Sequence, residues 1–303
     1  MTKMSVLQEK MATFALKCDY KCNEPMARHT SFRIGGDAEI MAFPETREAL
    51  AEILQVAELL GVKPAILGAG TNVLAPDAGL PGIVICLKDC LDAMEQLDEN
   101  RIQVMAGVTM TRAAVFAANL GLSGLEFAHG IPGTIGGGVY MNAGAYGGEI
   151  KDVAESVEIM DFSGNIQVLS KDEMGFSYRH SILEERESIV LSATFRLEKA
   201  EPETIRETMR QLQAKRSASQ PLDLPSAGSA FKRPVGGYAA ALIDQAGLKG
   251  FAVGGAAIST KHAGFAVNVG GATAEDVKAL LAQVSDIVFE KTGIRLEPEV
   301  RIW

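Results

Sequence analysis

Two glycine-rich turns carry the chemistry most legible in this sequence. The first is Gly68-Ala69-Gly70-Thr71-Asn72, directly after the apolar run "PAIL"; the second lies within "HGIPGTIGGGVYMNAGAYGGEI", His129 to Ile150, which holds eight glycines. Glycine admits positive φ and lacks a Cβ, so backbone N–H groups can converge on an anion and the chain can lie close against a ligand. Either turn alone reads first as a tight β-turn. Two of them, each after a strand pattern and the second this long, point to the pyrophosphate of a dinucleotide. The first is no Rossmann fingerprint, because Gly68 and Gly70 lack a third glycine and the turn runs on into Val73-Leu74 rather than opening a helix.

The cysteines offer a weaker signal. Cys18 with Cys22 and Cys86 with Cys90 each enclose three residues, a gap that could suggest a metal, but no histidine stands beside either pair and Cys86 sits in the apolar run "GIVICL". Reduced, buried thiols and no metal are expected, which suits a cytoplasmic address. The chain has 303 residues, 47% hydrophobic and 22% charged, and so describes a soluble globular protein of two or three domains. A net charge of −9 with scattered Lys and Arg argues against nucleic acid as a partner. The N-terminus "MTKMSVLQEKMATFALKCDYKC" lacks an apolar h-region. No stretch approaches the roughly 20 apolar residues of a membrane span. A small-molecule partner is expected.

The elements that would position the turns alternate along the first two thirds. Thr46 to Leu60 has apolar residues at helical spacing (Ala49, Leu50, Ile53, Leu54, Ala57, Leu60), closed by Gly61. "PAILG", "GIVICL" and "RIQVMAGVTM" read as strands, the last leading into a helix from Thr111 to Leu120. "SVEIMDFSGNIQVLS" reads as a hairpin turning at Ser163-Gly164-Asn165, and "SIVLSATFRLE" as a further strand. The last third opens with a charged helix, Glu203 to Arg216, followed by the Ser/Pro/Gly-rich "SASQPLDLPSAGSAF", a composition typical of a boundary. A helix around Tyr238 to Ala246, strands in "FAVGGAAIS" and "AGFAVNVG", a helix from a Thr273 N-cap to Lys291 before Gly293, and a strand-like "IRLEPEVRIW" complete an α+β chain with a boundary near residue 200.

Seven motifs carry a resemblance: "HTSFRIGG" (His29 to Gly36), "LGAGTNVL", "GLEFAHGIPGTIGGGVYMNAGAYGGE", "FSYRHS", "PSAGSAFKRPVGGYAAALIDQAGLKG", "STKHAGFAVN" and "LEPEVRIW". In order and spacing they resemble the UDP-N-acetylenolpyruvoylglucosamine reductase (MurB) family over about Thr30 to Trp303. The short stretch between Ser181 and Ser229 resembles its compact type II form. The resemblance implies the FAD-binding fold of the vanillyl-alcohol-oxidase/PCMH type in residues 1–200, as two subdomains of about 1–80 and 81–200. It also implies an α+β substrate-binding domain in 201–303, whose last strand, near 296–303, returns to the active site. Gly138 stands where the family usually has Ala, and His129 where it often has a small residue.

The resemblance also implies the site. Non-covalent FAD would lie against Leu67, Gly68, Ala69, Gly70, Thr71 and Asn72, against Gly130, Ile131, Pro132, Gly133, Thr134, Gly136 and Gly137, and against Asn142, Ala143, Gly144, Ala145 and Tyr146. NADPH would reduce the flavin, and hydride would pass from flavin N5 to the enolpyruvyl methylene of UDP-N-acetylglucosamine enolpyruvate. That leaves carbanion character beside the carboxylate, to be stabilised and protonated. Arg179 in "YRHS" would polarise the carboxylate, Ser229 in "AGSAF" would donate the proton, and Glu299 in "PEVR" would hold the enediolate side. Tyr178, Arg179, Gly228, Lys232 and Arg233 would bind substrate, the last two offering charge for a diphosphate. In isolation Arg179 reads as a surface arginine, Ser229 as a turn hydroxyl and Glu299 as a strand-edge carboxylate. His129 and His262 read as hydrogen-bonded structural residues, although a flavin-fold relative could attach FAD through a residue such as His129. Two other readings stand beside the reductase: an FAD-dependent oxidase on the same fold, and a colourless nucleotide-sugar binding module.

Overall fold

The computed structural model describes residues 5–303, which divide into two compact units. The first takes the chain up to Cys22, then Glu39–Ala69 and Gly82–Ala214; the second takes Asn23–Ala38, Gly70–Pro81 and Lys215–Trp303.

Besides two short two-stranded ladders, the first unit is built on most of a four-stranded sheet and the whole of a five-stranded one, each with its own core. One has the order Asp19–Pro25, Asp37–Phe43, Leu80–Cys86, Ala65–Leu67, the last pair running parallel. Helix α1 (Val6–Met11) and helix α2 (Arg47–Leu59) bury Met11, Leu50, Ile53, Leu54 and Ala57 with Ile40, Ile83 and Ile85. The ends of α2 follow its sequence: Thr46 Oγ1 accepts the Ala49 N–H at 3.1 Å, and Gly61, at φ +67°, leaves the helix in the left-handed region. The other sheet has the order Ile166–Ser170, Ala154–Asp161, Ser188–Arg196, Arg101–Met105, Met94–Gln96, every neighbour antiparallel. Its hairpin turns where Asp161 Oδ1 accepts from the N–H groups of Ser163 and Asn165. Strand Ser188–Arg196 is buried at every position from Ile189 to Phe195, Ser192 and Thr194 included, because it serves both cores: Ile189 and Leu191 belong to the first, and Val190, Ala193 and Phe195 to the second. Helix α3 (Met110–Asn119), helix α4 (Ile135–Tyr140) and the single turn α5 (Ile150–Val153) close that second core with Ala113, Ala117, Ile135, Val139 and Ile150.

Helix α6 (Pro202–Ser219) carries the chain from one unit to the other, the division falling between Ala214 and Lys215. The second unit has an antiparallel sheet in the order Ser226–Ser229, Phe265–Asn268, Ala256–Ile258, Ala252–Val253. Helix α7 (Ala239–Gln245) and helix α8 (Ala274–Thr292) supply Ile243, Val277, Leu280, Leu281, Val284 and Val288 to its core. The two N-terminal segments deliver Phe32, Ile34 and Leu74 to the same core. The compact units therefore do not follow the linear division near residue 200, because apolar side chains from residues 23–38 and 70–81 bury with the C-terminal residues. Helix α8 has the expected Thr273/Asp276 capping box and ends at Gly293, φ +73°. The Asp77 carboxylate takes two further N-terminal amides, those of Ala274 at 2.8 Å and Glu275 at 3.2 Å. "FAVGGAAIS" is a hairpin rather than one strand, and the tail strand has only two residues, Arg301–Ile302, parallel to Val73–Leu74. Among the described residues no helix is long and apolar enough to cross a membrane, and no cluster of His, Cys, Asp and Glu could hold a metal ion.

Candidate active site

In the first unit Gly68 and the glycines of the long stretch do two different jobs. A Cβ on Gly68 would stand 2.6 Å from Thr134 Oγ1, one on Gly138 would stand 2.7 Å from Met110 Sδ, and one on Gly136 would meet Ala106 Cβ at 3.1 Å. These glycines let protein pack on protein. Residues 133–136 run along 106–110: the Met110 N–H donates to Gly133 O, the Ile135 N–H to Val108 O and the Gly136 N–H to Ala106 O. Two amides of the first turn of α4 are thus spent on the neighbouring backbone. Gly137 differs. It is exposed, and its Cβ would meet only Thr134 Oγ1, at 3.7 Å. Gly147, at φ +92°, has nothing within 4 Å of a Cβ. Gly130 and Gly133 take φ +81° and +145°, which side-chain-bearing residues avoid. The protein leaves side-chain room beside Gly137 and Gly147, the kind of surface on which a large flat ligand can approach backbone.

Arg179 sits at the tip of a four-residue turn in the same unit. The Ser177 N–H donates to His180 O at 3.1 Å, and the His180 N–H returns to Ser177 O at 3.3 Å. Arg179 has φ +56°, a left-handed conformation costing roughly 1 kcal/mol, and its guanidinium lies 5.2 Å from the ring centre of the exposed Tyr178. Asn142 braces this turn. Only 1% exposed and itself at φ +42°, it donates from Nδ2 to Ser177 O at 2.9 Å and to Glu149 Oε2 at 2.7 Å, and its Oδ1 accepts the Lys151 N–H at 2.9 Å. The Asn142 amide faces inward, with its polar atoms hydrogen-bonded to protein. The Leu67 side chain is fully buried, so this residue offers a ligand its backbone. Ala143 to Tyr146 continue outward, with Tyr146 45% exposed at φ +55°.

The second unit brings Ser229, Glu299 and the Gly70-Thr71-Asn72 turn together. Ser226 pairs with Val267 and Ser229 with Phe265, the register breaking between them where Gly228 takes φ +76°. Such a bulge re-aims the residue that follows. Beyond it the Glu299 N–H donates to Ala230 O at 2.9 Å, Phe231 bridges Pro298, and the Lys232 N–H donates to Glu297 O at 2.8 Å. Ser229 and Glu299 thus lie on neighbouring, backbone-paired segments. Asn72 holds the other side of Glu299: its Nδ2 donates to Glu299 O at 3.3 Å, and its own carbonyl accepts the Arg301 N–H at 2.9 Å. Lys232 and Arg233 stand exposed, with Lys232 Nζ 3.5 Å from Glu297 and the Arg233 guanidinium 4.6 Å from the Tyr238 ring. His262 keeps a structural part; its Nδ1 accepts the Gly264 N–H at 3.1 Å, its ring meets Phe265 edge-on, and burial lowers its pKa.

Two residues in these frameworks were given no task by the sequence. Glu149, in "YGGE", is the partner that turns Asn142 inward, a link that a carboxylate seven residues on does not advertise. Ser31, within the quoted "HTSFRIGG", hydrogen-bonds to both Gly70 and Ser226. The motif itself was the available signal.

A family model described as FAD binding domain matches residues 38–170, and one described as UDP-N-acetylenolpyruvoylglucosamine reductase, C-terminal domain, matches residues 220–303. The open α-carbons at Gly137 and Gly147 suit the cofactor that the first implies. The chain is 45% identical over 297 residues to the UDP-N-acetylenolpyruvoylglucosamine reductase of Caldanaerobacter subterraneus subsp. tengcongensis, covering 98% of both chains. It is 46% identical over 286 residues to that of Latilactobacillus sakei, covering 93% of this chain and 92% of the relative. The crystal structure of UDP-N-acetylenolpyruvylglucosamine reductase (MurB) from Thermus caldophilus superposes with a TM-score of 0.79 at 35% identity, covering 95% of this chain and 99% of that one. With its α+β architecture, its FAD-binding region and its C-terminal unit, the chain belongs to the UDP-N-acetylenolpyruvoylglucosamine reductase family.

Proposed function

We propose that this chain reduces UDP-N-acetylglucosamine enolpyruvate to UDP-N-acetylmuramate in the cytoplasm, for peptidoglycan precursor synthesis, with NADPH as reductant and dissociable FAD as cofactor. The observation that carries this reading is the pairing of the Ser229 and Glu299 segments inside the stretch matched as the reductase C-terminal domain. FAD would lie against the open backbone at Gly137 and Gly147 and, when bound, would supply the hydride chemistry that joins NADPH to the enolpyruvyl methylene carbon. The protein's share is to manage the charge and the proton. Negative charge develops on the carbon beside the substrate carboxylate, and the Arg179 guanidinium, always charged and able to grip a carboxylate with two N–H groups, draws it onto the oxygens. Ser229 then protonates that carbon: its O–H bond breaks, a C–H bond forms, and the alkoxide is reprotonated from solvent. A hydroxyl is acidic enough, because such a carbanion is far more basic than an alkoxide. Glu299, fixed from both sides through its backbone, holds the enediolate side as a hydrogen-bonded acid, its carboxyl O–H donating to the enediolate oxygen. Lys232 and Arg233 bind the diphosphate, Arg233 being pre-oriented by the Tyr238 ring.

Anaerobic titration tests the reading. NADPH should bleach the visible flavin band, and UDP-N-acetylglucosamine enolpyruvate should restore it with one equivalent of UDP-N-acetylmuramate formed. A protein that reoxidises rapidly only with oxygen would be an oxidase on the same fold. One that purifies colourless and binds no FAD would be a nucleotide-sugar binding module.

A further inference from the structure

The motif "HTSFRIGG" holds a residue that the chemistry above leaves without a task. The Ser31 N–H donates to Gly70 O at 3.0 Å, and its hydroxyl lies 2.6 Å from Ser226 O and 3.4 Å from Gly70 O. Ser31 is itself held rigidly. Phe32 beside it is fully buried, Asn268 Nδ2 donates to Phe32 O at 3.1 Å, and Thr30 Oγ1 closes the loop on Ile34 O at 3.0 Å.

The two carbonyls that Ser31 joins begin the two segments that matter. Gly70 opens the turn whose Asn72 holds Glu299, and Ser226 opens the strand that ends in Ser229. That strand is the edge of its sheet, with Phe265–Asn268 on one side only, and its bulge at Gly228 has no side chain to stiffen it. Backbone pairing with Glu299 fixes it beyond the bulge, at Ala230. Ser31 fixes it before the bulge.

We propose that Ser31 is a positioning residue for the proton transfer, its hydroxyl setting the Ser226–Ser229 strand against the Gly70–Asn72 turn and so aiming the Ser229 hydroxyl relative to Glu299. This rests on the reading of Ser229 as proton donor. A small misplacement of a reacting group costs on the order of 10- to 100-fold in rate while leaving ligand binding intact.

The test uses FAD-loaded Ser31→Ala, Ser31→Thr, Ser229→Ala and Ser31→Ala/Ser229→Ala, with stopped-flow measurement of each half-reaction and spectral titration of the enolpyruvyl substrate against the oxidised holoenzyme. Ser31→Ala should slow substrate reduction about 10- to 100-fold, with flavin content, NADPH-driven flavin reduction and substrate Kd within about twofold of the unmutated protein. Ser31→Thr, which keeps the hydroxyl, should recover most of the loss. The double variant should be no slower than Ser229→Ala alone. Equal slowing of both half-reactions, a double variant whose losses multiply, or no slowing by Ser31→Ala overturns the proposal. If Ser229→Ala is impaired and Ser31→Ala is not, only Ser31 loses its part; if Ser229→Ala reduces substrate at the unmutated rate, the proton-donor reading and this proposal fall together. Should Ser31→Ala fail to fold, Ser31→Cys, similar in size but a weak donor, takes its place with the same expectations.

Discussion

Replacing Gly137 by valine separates a glycine kept for a ligand from one kept for packing. The new Cβ would meet only Thr134 Oγ1 at 3.7 Å, on an exposed face of a helix, so the protein itself has room. Valine is also a better helix former than glycine by roughly 0.3–0.5 kcal/mol. The FAD-free variant should therefore unfold at or slightly above the temperature of the unmutated apoprotein. At a free FAD concentration 100 times its Kd, the unmutated protein gains about 2.7 kcal/mol, or roughly 5–10 °C for a domain of this size. Gly137→Val should lose that gain and purify colourless, because its two methyls stand where the cofactor approaches the backbone. Gly70→Val is the contrast. At φ +62°, its Cβ would fall 2.0 Å from His29 O, so it should destabilise the apoprotein by about 3 kcal/mol or more. Thermal unfolding of both apoproteins with and without FAD gives the answer. A Gly137→Val protein that keeps the full FAD-induced shift, or whose apoprotein is as damaged as Gly70→Val, refutes the reasoning.

Asn142→Ala removes three hydrogen bonds from a residue only 1% exposed, and should cost about 2–3 kcal/mol in urea unfolding while loosening the Tyr178-Arg179 turn; a cost below about 0.5 kcal/mol would mean that Asn142 does not brace it. In the folded protein Cys86 and Cys90 should resist thiol reagents at pH 8 while the exposed Cys22 reacts, since burial pushes the Cys90 thiol up to about 12 from 9.0. The sign is that of a group the fold keeps protonated: its contribution to stability is complete below pH 9.0, where the unfolded thiol begins to ionise, and is lost as the pH climbs toward 12. Cys90→Ser should accordingly make the alkaline decline in stability less steep, as followed by denaturation at a series of pH values.

Local signals in the sequence carried local structure well. The caps of α2 and α8 and the hairpin at 163–165 are set by residues within four positions of one another, and each forms as its residue types dictate. What depends on distant partners was not legible. Phe32, Ile34 and Leu74 sit in segments without a periodic pattern, so nothing local announces that they bury with α8. "FAVGGAAIS" hides a turn at Gly254, where a Cβ would strike the Asp276 carboxylate. At the site the residue types were informative and the directions were not. Gly136, Gly137 and Gly138 look alike in sequence, yet the first and last pack against Ala106 and Met110 while the middle one has room for a side chain, with only Thr134 Oγ1 at 3.7 Å. An asparagine in a glycine-rich run reads as a ligand contact, and only the position of Glu149 and Ser177 shows that Asn142 is turned inward.

The division of labour between hydride delivery and protonation is tested most directly by the two half-reactions of Ser229→Ala, a nearly isosteric change. Stopped-flow reduction of its bound FAD by NADPH should proceed at close to the unmutated rate, since that step asks no proton of the serine. Reoxidation by UDP-N-acetylglucosamine enolpyruvate should slow by about 100- to 10,000-fold, the usual cost of losing a positioned acid. Substrate reduction within a few-fold of the unmutated rate, or equal loss in both steps, would contradict the account.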